Sequence, residues 1–171
     1  TMNFKSEGNL VLVIGKTEGH LDQSLFARTI LDEKNGPPPE VNLFNEKNNG
    51  ESILNLIDKG YVKSAHDISL GGLLVAISKM CIRGNKGIKI NKSKNLMNEI
   101  EYFFAEDQGR YLIEVNKEDL KEVTKILEKN SVHHEELGII TQNDMIINEK
   151  TKVTIDELKS YYTNWLSKYM S

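Results

Sequence analysis

The sequence alternates short apolar runs that suit β-strands with longer stretches whose apolar residues recur at helical spacing. The run NLVLVIG, residues 9–15, is continuously apolar and is closed by a glycine, which is typical of a buried strand. Because strands and helices are interleaved without linkers or repeats, the pattern predicts one domain of the α/β or α+β class. Further strands are predicted at 63–68, in KGIKINK at 86–92, in GRYLIEV at 109–115, and in HHEELGIITQ and DMIINEK, which turn at Asn143 and Asp144.

Helical spacing fills the segments between the first strands. A short helix capped by Asp22 or Ser24 is predicted to bury Leu21, Leu25, Phe26 and Ile30. The connection 35–42 contains all three prolines and cannot lie inside a helix; helical spacing resumes after it, at Leu43, Phe44, Leu54 and Ile57. The segment from Ser69 to about Arg83 places its apolar residues on one face, which we expect to be buried: Leu73, Leu74, Ile77, Met80 and Cys81.

Two more helices are predicted in the second half of the chain. The first begins at Asn116 and carries an apolar stripe formed by Leu120, Val123, Ile126 and Leu127. The second covers the final segment TIDELKSYYTNWLSKYM, where Thr154 is the expected cap and Glu157, three residues later, completes a capping box.

The composition limits the classes of protein to which the chain belongs. Hydrophobic residues make up 39% and charged residues 27% of 171 residues, the balance of a folded domain with its own core. A net charge of -3 gives no broad electrostatic reason to bind nucleic acid or an acidic membrane. The apolar runs are far shorter than the roughly 20 residues of a membrane span. A single cysteine, Cys81, excludes an internal disulfide and suits the reducing cytoplasm.

The first ten residues indicate whether the chain begins with a signal peptide or a start methionine. TMNFKSEGNL lacks the apolar core of a signal peptide, and Thr1 precedes Met2. We therefore expect residues 1–171 to be a single domain and a fragment of a longer chain, located in the cytoplasm.

The stretch SAHDISLGGLLVAISK, residues 64–79, suggests a ligand site. Gly71 and Gly72 open a helix, where free backbone amides and the positive end of the helix dipole would suit a phosphate. Ser69 could cap the helix or donate to a phosphate oxygen, whereas Asp67 would repel one unless Mg²⁺ lay between them. The alternative is that the glycines let the helix pack tightly on the sheet while Asp67 caps it. His66 is either a general base or a hydrogen-bonded structural histidine.

A second concentration of polar residues lies in FFAEDQGRY, residues 103–111. Its adjacent carboxylates, Glu106 and Asp107, could bind Mg²⁺, and Gln108 could bond an amide or hydroxyl; alternatively, this is an exposed acidic turn with Arg110 paired to one carboxylate.

The four histidines and the one cysteine give no metal motif. His20, in the loop EGHLDQS, either faces a ligand or is solvated. The adjacent pair His133 and His134 should point to opposite faces of a strand, so no metal is assigned to them, and Cys81 is expected to be a core residue.

Four stretches, taken in this order and with this spacing, resemble one family. They are TEGHLDQSLF, PPPEVNLFNEKNNGESILNLI, AHDISLGGLLVAISKM and FAEDQGRYLIEV. They are similar to the C-terminal domain of phosphoribosylformylglycinamidine synthase, in the small form of its synthetase subunit, within the aminoimidazole ribonucleotide synthetase-like superfamily. The resemblance spans nearly the whole chain and implies an α+β domain, a mixed β-sheet with helices packed mainly on one face.

The resemblance also implies a reaction and its participants. It implies an ATP-dependent ligase of purine biosynthesis that converts formylglycinamide ribonucleotide to the amidine, with Mg²⁺ and with glutamine as the amide donor. The implied partners are the N-terminal domains of the same chain, a glutaminase subunit and a small third subunit. Mg²⁺ and much of the nucleotide site would belong to the other domains.

For this chain the resemblance implies a ligand or phosphate site without a catalytic residue. The family duplicates a pair of domains, and this copy corresponds to the later one, a pseudo-site able to hold a nucleotide. The candidate ligand residues are His20, His66, Asp67, Ser69, Gly71, Gly72, Glu106 and Gln108, with no metal ligand. Leu70 stands where the family commonly has an acid, which argues against a metal at this turn; Asp22 and Ala105 stand where it commonly has glycine.

We expect the fragment alone to be inactive, because the nucleotide-binding domain would lie outside it. Two rival functions stay open: a non-catalytic assembly module that binds the other subunits, and a domain of a related synthetase or kinase of the same superfamily.

Overall fold

A computed structural model describes residues 1–90 and 97–170. Within them seven strands form one sheet, at Leu10–Ile14 (β1), Val62–Asp67 (β2), Gly87–Ile90 (β3), Tyr111–Val115 (β4), His134–Thr141 (β5), Asp144–Ile147 (β6) and Thr151–Thr154 (β7). Five α-helices accompany them, at Leu43–Asp58 (α1), Gly72–Gly84 (α2), Glu99–Phe104 (α3), Leu120–Lys129 (α4) and Ile155–Met170 (α5). The last two residues of the predicted KGIKINK strand lie outside the described residues.

The sheet is mixed, with the strand order β2-β4-β1-β5-β3-β6-β7. β1 is an interior strand that pairs antiparallel with β4 on one side and with β5 on the other, and a bulge in its pairing with β5 falls between Val11 and Leu12. β3 runs parallel to β6 and separates it from β5, although β5 and β6 are joined by a short turn. An α+β domain with a mixed sheet, as predicted, is therefore confirmed.

Helices cover both faces of the sheet. On one face Val11 and Val13 of β1 pack in a cluster that includes Ile77 of α2, Phe103 of α3 and Ile155 of α5. On the other face Leu12 and Ile14 pack in a cluster that includes Leu56 of α1 and Val123 of α4. Alternate residues of a strand point to opposite faces, so the continuously apolar β1 requires both layers. Among the described α-helices, α2, α3 and α5 lie on the first face, in line with the expectation of helices mainly on one face, and α1 and α4 cover the second.

Most of the predicted elements are present. In α2 the residues Leu73, Ile77, Met80 and Cys81 are buried, as the helical spacing predicted. At the start of α5 the Oγ1 of Thr154 accepts the amide of Glu157 at 3.2 Å, which confirms this cap. No described helix is both long and apolar enough to cross a membrane.

One prediction of a buried residue is wrong. Ile30 is 67% exposed, because residues 27–31 form a single π-helical turn in which Ala27 is the buried residue. The helix predicted from the spacing of Leu43 and Leu54 is present as α1; both leucines point outward, and the side packed on the sheet carries Ser52 and Leu56.

Candidate functional site

A cleft of about 540 Å³ opens beside the end of β1, the first turns of α1 and the turn that precedes β4. Its volume is within the roughly 300–1,000 Å³ typical of small-molecule sites. Most of its walls are polar. The side chains that matter below are His20, Asn45, Glu46, Asn49, Gln108 and His133.

The floor of the cleft is held by a buried carboxylate. Asp107 is 6% exposed and accepts three backbone amides, from Glu18 at 2.9 Å, Gly19 at 3.2 Å and His20 at 3.0 Å. An ionised carboxylate is the acceptor best suited to several converging amides. Asp107 therefore fixes the loop that carries His20.

Arg110 lies behind this carboxylate and is 1% exposed. Its Nη2 donates to the carbonyl of Ala105 at 2.6 Å and lies 3.7 Å from Oδ2 of Asp107, while Nη1 donates to Thr17 at 3.1 Å. Burial lowers the pKa of Arg110, and the negative charge of Asp107 opposes that shift. The alternative predicted an exposed acidic turn with Arg110 paired to a carboxylate. The pairing with a carboxylate is confirmed, but the exposure is wrong, because both Arg110 and Asp107 are buried.

Glu106 joins the cleft to the glycine turn. Its Oε1 accepts the amide of Leu25 at 2.7 Å and that of Gly71 at 2.8 Å. Its own amide donates to the carbonyl of His20 at 3.0 Å. A carboxylate of the chain itself thus lies at the Gly71 amide, where the sequence suggested a phosphate oxygen.

Both glycines of the turn are buried and tightly packed. The φ angles are +89° at Gly71 and +72° at Gly72, values that favour glycine. A Cβ at Gly72 would lie 2.7 Å from the carbonyl oxygen of Ala105 and 2.7 Å from the carbonyl carbon of Phe104. The amide of Gly72 donates to the carbonyl of Ser69 at 2.9 Å. Gly72 thus lets α2 approach the 104–105 backbone rather than the sheet, and no described side chain caps the start of α2, so the second interpretation of the glycines describes the tight packing but neither its partner nor the cap by Asp67.

His66, Asp67 and Ser69 form a separate group at the end of β2. The Nδ1 of His66 lies 3.0 Å from Oδ1 of Asp67, and the Nε2 of His66 is buried without a hydrogen-bond partner among the described residues. For Asp67, burial raises the pKa, but hydrogen bonds from Ser69 and from its own amide, together with His66, bring it below its ordinary value.

The structure therefore separates the predicted ligand residues into three places. His20 and Gln108 line the cleft, Glu106 and Gly71 are bonded to each other beside it, and His66, Asp67 and Ser69 do not line it. Whether any of them binds a ligand stays a prediction. Across residues 1–90 and 97–170, no three His, Cys, Asp or Glu side chains are grouped as metal ligands.

Sequence reasoning missed the wall formed by α1. Asn45 and Asn49 are one helical turn apart and both face the cleft, and His133 lies opposite them on the approach to β5. The Nδ2 of Asn49 donates to the carbonyl of Gly109 at 2.9 Å, which fixes this wall to the turn before β4. The i, i+4 spacing of two asparagines, just after the proline-rich connection, was the available signal.

The charges of the cleft do not favour an anion. Lys16 is paired with Glu18 at 2.8 Å, and Asp107 accepts backbone amides. Glu40 and Glu46 are the other acids of the wall, and neither forms an ion pair with a residue that the structure describes. Burial raises the pKa of Tyr111, and the charge of Glu46 adds to the shift. The carboxamides of Asn45 and Gln108 suit hydrogen bonding to neutral hydroxyl or amide groups. The side chains of the cleft are therefore of a kind that can bind and orient a polar ligand.

Comparisons with known proteins point to one family. The sequence profile described as AIR synthase related protein, C-terminal domain, matches residues 6–148. The phosphoribosylformylglycinamidine synthase subunit PurL of Pelagibacter ubique (strain HTCC1062) is 64% identical over 170 residues, which are 99% of this chain and 23% of that protein. The same subunit of Bartonella henselae is 35% identical over 170 residues, again 99% of this chain and 23% of that protein. The chain thus spans about a quarter of the length of these relatives.

Solved structures share the fold. The structure of T. maritima PurL complexed with FGAR matches with a TM-score of 0.73 and 19% identity, covering 91% of this chain and 28% of that one. PurLQS from Thermotoga maritima matches with a TM-score of 0.69 and 20% identity, covering 91% and 27%. E. coli HypE, a hydrogenase maturation protein, matches with a TM-score of 0.64 and 18% identity, covering 90% and 51%.

Proposed function

The chain belongs to the family of AIR synthase related protein C-terminal domains, and from this premise we propose that it is the C-terminal domain of a phosphoribosylformylglycinamidine synthase. The observation that carries the proposal is the 64% identity to a PurL subunit over 99% of this chain. We further propose that residues 1–171 are one domain of a longer polypeptide in the cytoplasm.

The proposed reaction is an ATP-dependent amidation. The γ-phosphate of ATP passes to the carbonyl oxygen of the glycinamide group of formylglycinamide ribonucleotide, and ADP leaves. Ammonia then attacks the activated carbon, and inorganic phosphate leaves to give the amidine. Ammonia would come from glutamine through a glutaminase subunit, and a small third subunit would help to assemble the complex.

Among the residues that the structure describes, the two acids that suggested a Mg²⁺ site, Glu106 and Asp107, are already engaged by backbone amides. Both oxygens of Asp107 accept backbone amides, and Oε1 of Glu106 accepts two. A carboxylate that is already satisfied by amides has little capacity left for a hard cation. We assign ATP and Mg²⁺ to the other domains of the synthase and derive no step through them here.

The role proposed for this domain is to bind and position, without a catalytic residue of its own. Within the proposal, His20 and Gln108 contact the ligand in the cleft. The cleft is supported indirectly by Glu106, Gly71 and Gly72, which hold the backbone beside it in place. His66, Asp67 and Ser69 are kept as ligand candidates outside the cleft.

The proposal is tested by comparing this 171-residue chain with the longer polypeptide. Each is supplied with formylglycinamide ribonucleotide, ammonia and Mg-ATP, and amidine and ADP are measured. The longer polypeptide should form both in equal amounts, and the short chain should form neither. Amidine formation by the short chain, or none by the longer one, would contradict the proposal.

A pure assembly module is the second candidate. One observation favours it: Glu106 and Asp107, the acids most suggestive of ligand chemistry, bind backbone amides of their own chain. Calorimetry separates the two functions, with Mg-ADP and formylglycinamide ribonucleotide titrated into the longer polypeptide and the glutaminase and small subunits titrated separately. If Gln108→Ala changes small-molecule binding but not subunit binding, the cleft is a ligand site; the reverse result would favour the assembly module.

A further inference from the structure

The outward face of α1 is unusually apolar for a helix that faces solvent. Leu43 is 78% exposed, Phe44 75%, Leu54 62% and Ile57 43%. At 3.6 residues per turn, Leu43 and Leu54 lie within roughly 20° of each other around the helix, with Phe44 and Ile57 on either side. We call these four residues the outer stripe.

The same helix is also apolar on its inner side. Ile53 and Leu56 are buried and pack in a cluster with residues of β1 and β4. Within the outer stripe, the interposed polar pair is Lys47 and Glu51, whose charged atoms are 3.8 Å apart and well exposed. A helix that is apolar on opposite sides is typically covered on both, and exposed apolar patches commonly mark interaction surfaces.

The start of the chain lies beside this helix. The carbonyl of Thr1 accepts the amide of Ala65 at 3.2 Å, on β2, which is an edge strand of the sheet. Ala65 packs in the same cluster as Ile53 and Leu56 of α1. Thr1 therefore lies close to α1.

The entry point is firmly held. The carboxylate of Glu114 is fully buried and accepts the amides of Lys5 at 2.9 Å and Ser6 at 3.1 Å, together with the side chains of Asn9 at 2.8 Å and Ser64 at 2.7 Å. These bonds attach the first residues to β2 and β4. The fold therefore fixes the place at which the chain starts relative to α1.

We propose that the outer stripe of α1 is the docking surface for polypeptide that precedes Thr1 in the longer chain. This rests on the proposed function in one respect, that the chain is part of a longer polypeptide; its relatives extend well beyond the 23% that this chain matches. A stripe of large aliphatic and aromatic side chains suits a permanent interface better than a transient one. A tethered segment entering beside the helix also has a high effective concentration there.

Cysteine alkylation tests this directly, because the native thiol gives little background. Cys81 is fully buried, and burial raises its pKa to about 12. Leu54→Cys and Phe44→Cys are made in the 171-residue chain and in the longer polypeptide. Lys125→Cys, an exposed site on α4, is the matched control. Iodoacetamide incorporation is followed with time on the resolved peptides.

We expect both stripe cysteines to react at least tenfold more slowly in the longer polypeptide, with the control unchanged. Equal rates in the two chains would overturn the proposal. Slow reaction that is lost on dilution would assign the stripe to a second copy, and protection appearing with added glutaminase would assign it to another subunit; either also overturns it. Amidine formation by the unmodified longer polypeptide is measured separately, so failure of the proposed function is recognised independently.

Discussion

Replacing Asp107 by asparagine should destabilise the domain strongly while hardly changing its shape. The aspartate oxygens accept the amides of Glu18, Gly19 and His20. An asparagine oriented to keep the first two bonds turns its NH₂ group toward the amide of His20. Two donors then face each other in a place that is 6% exposed.

The magnitude follows from these bonds. Leaving one buried amide unpaired costs about 1–3 kcal/mol, and weakening two bonds from charged to neutral acceptors costs about 1 kcal/mol each. Arg110, 3.7 Å away, also loses its nearest negative charge. The total is about 4 kcal/mol, a large part of the roughly 5–15 kcal/mol that stabilises a typical domain.

Urea unfolding followed by circular dichroism measures this loss. With a slope of about 2 kcal/mol per molar urea, the midpoint should fall by about 2 M. Gln108→Glu is the matched control, because Gln108 is the next residue along the chain and is exposed. The urea midpoint of this variant should stay within about 0.25 M of the parent, which corresponds to about 0.5 kcal/mol in the free energy of unfolding. A shift below about 0.5 M for Asp107→Asn would refute the amide-clamp account of this residue.

Three further predictions concern packing, acidity and the chain start. Gly72→Ala should lower the free energy of unfolding by about 2 kcal/mol more than Gly8→Ala does, because the Cβ at position 72 clashes with backbone atoms. Gly8→Ala is the control for left-handed strain alone, since a Cβ at Gly8, with φ +85°, meets nothing within 4 Å. Equal urea midpoints for the two variants would contradict this prediction. Burial raises the pKa of Cys81 to about 12, so the thiol should stay unalkylated at pH 8 until the domain unfolds. The stability gained by keeping this thiol protonated is complete below roughly pH 8.5 and is lost as the pH rises toward 12. Cys81→Ala should therefore reduce the fall of the urea midpoint at alkaline pH. Glu114→Gln should cost about 2–3 kcal/mol and speed tryptic cleavage after Lys5, because two of its four donors lose an acceptor; unchanged cleavage would contradict its role as an anchor.

The spacing of apolar residues predicted the presence of helices and strands better than it predicted which of their faces are buried. β1 and α2 follow from their apolar spacing, because a run buried on both faces and a single-faced helix leave clear patterns. α1 was predicted as a helix without an assigned buried side, since it carries apolar residues on two sides and spacing cannot say which one faces the sheet. α3 was missed although its capping box, Asn98 with Glu101, is visible in the sequence.

The candidate site depended on contacts that sequence spacing does not encode. Asp107 reaches amides 87–89 residues earlier in the chain, and Glu106 reaches Gly71 across 35 residues. Sequence pattern identified these acids and that glycine turn as unusual, but only the fold shows which backbone amides the two acids bind. The position of β3 between β5 and β6 is likewise a long-range pairing that local turn signals cannot predict.

The central claim, that this domain completes a synthase, is tested most directly by reconstitution from two pieces. The longer polypeptide truncated before Thr1 is given formylglycinamide ribonucleotide, ammonia and Mg-ATP, and the 171-residue chain is then added in increasing amounts. We predict negligible amidine formation before the addition and a saturable rise after it. Full activity of the truncated polypeptide without the added chain would contradict the claim.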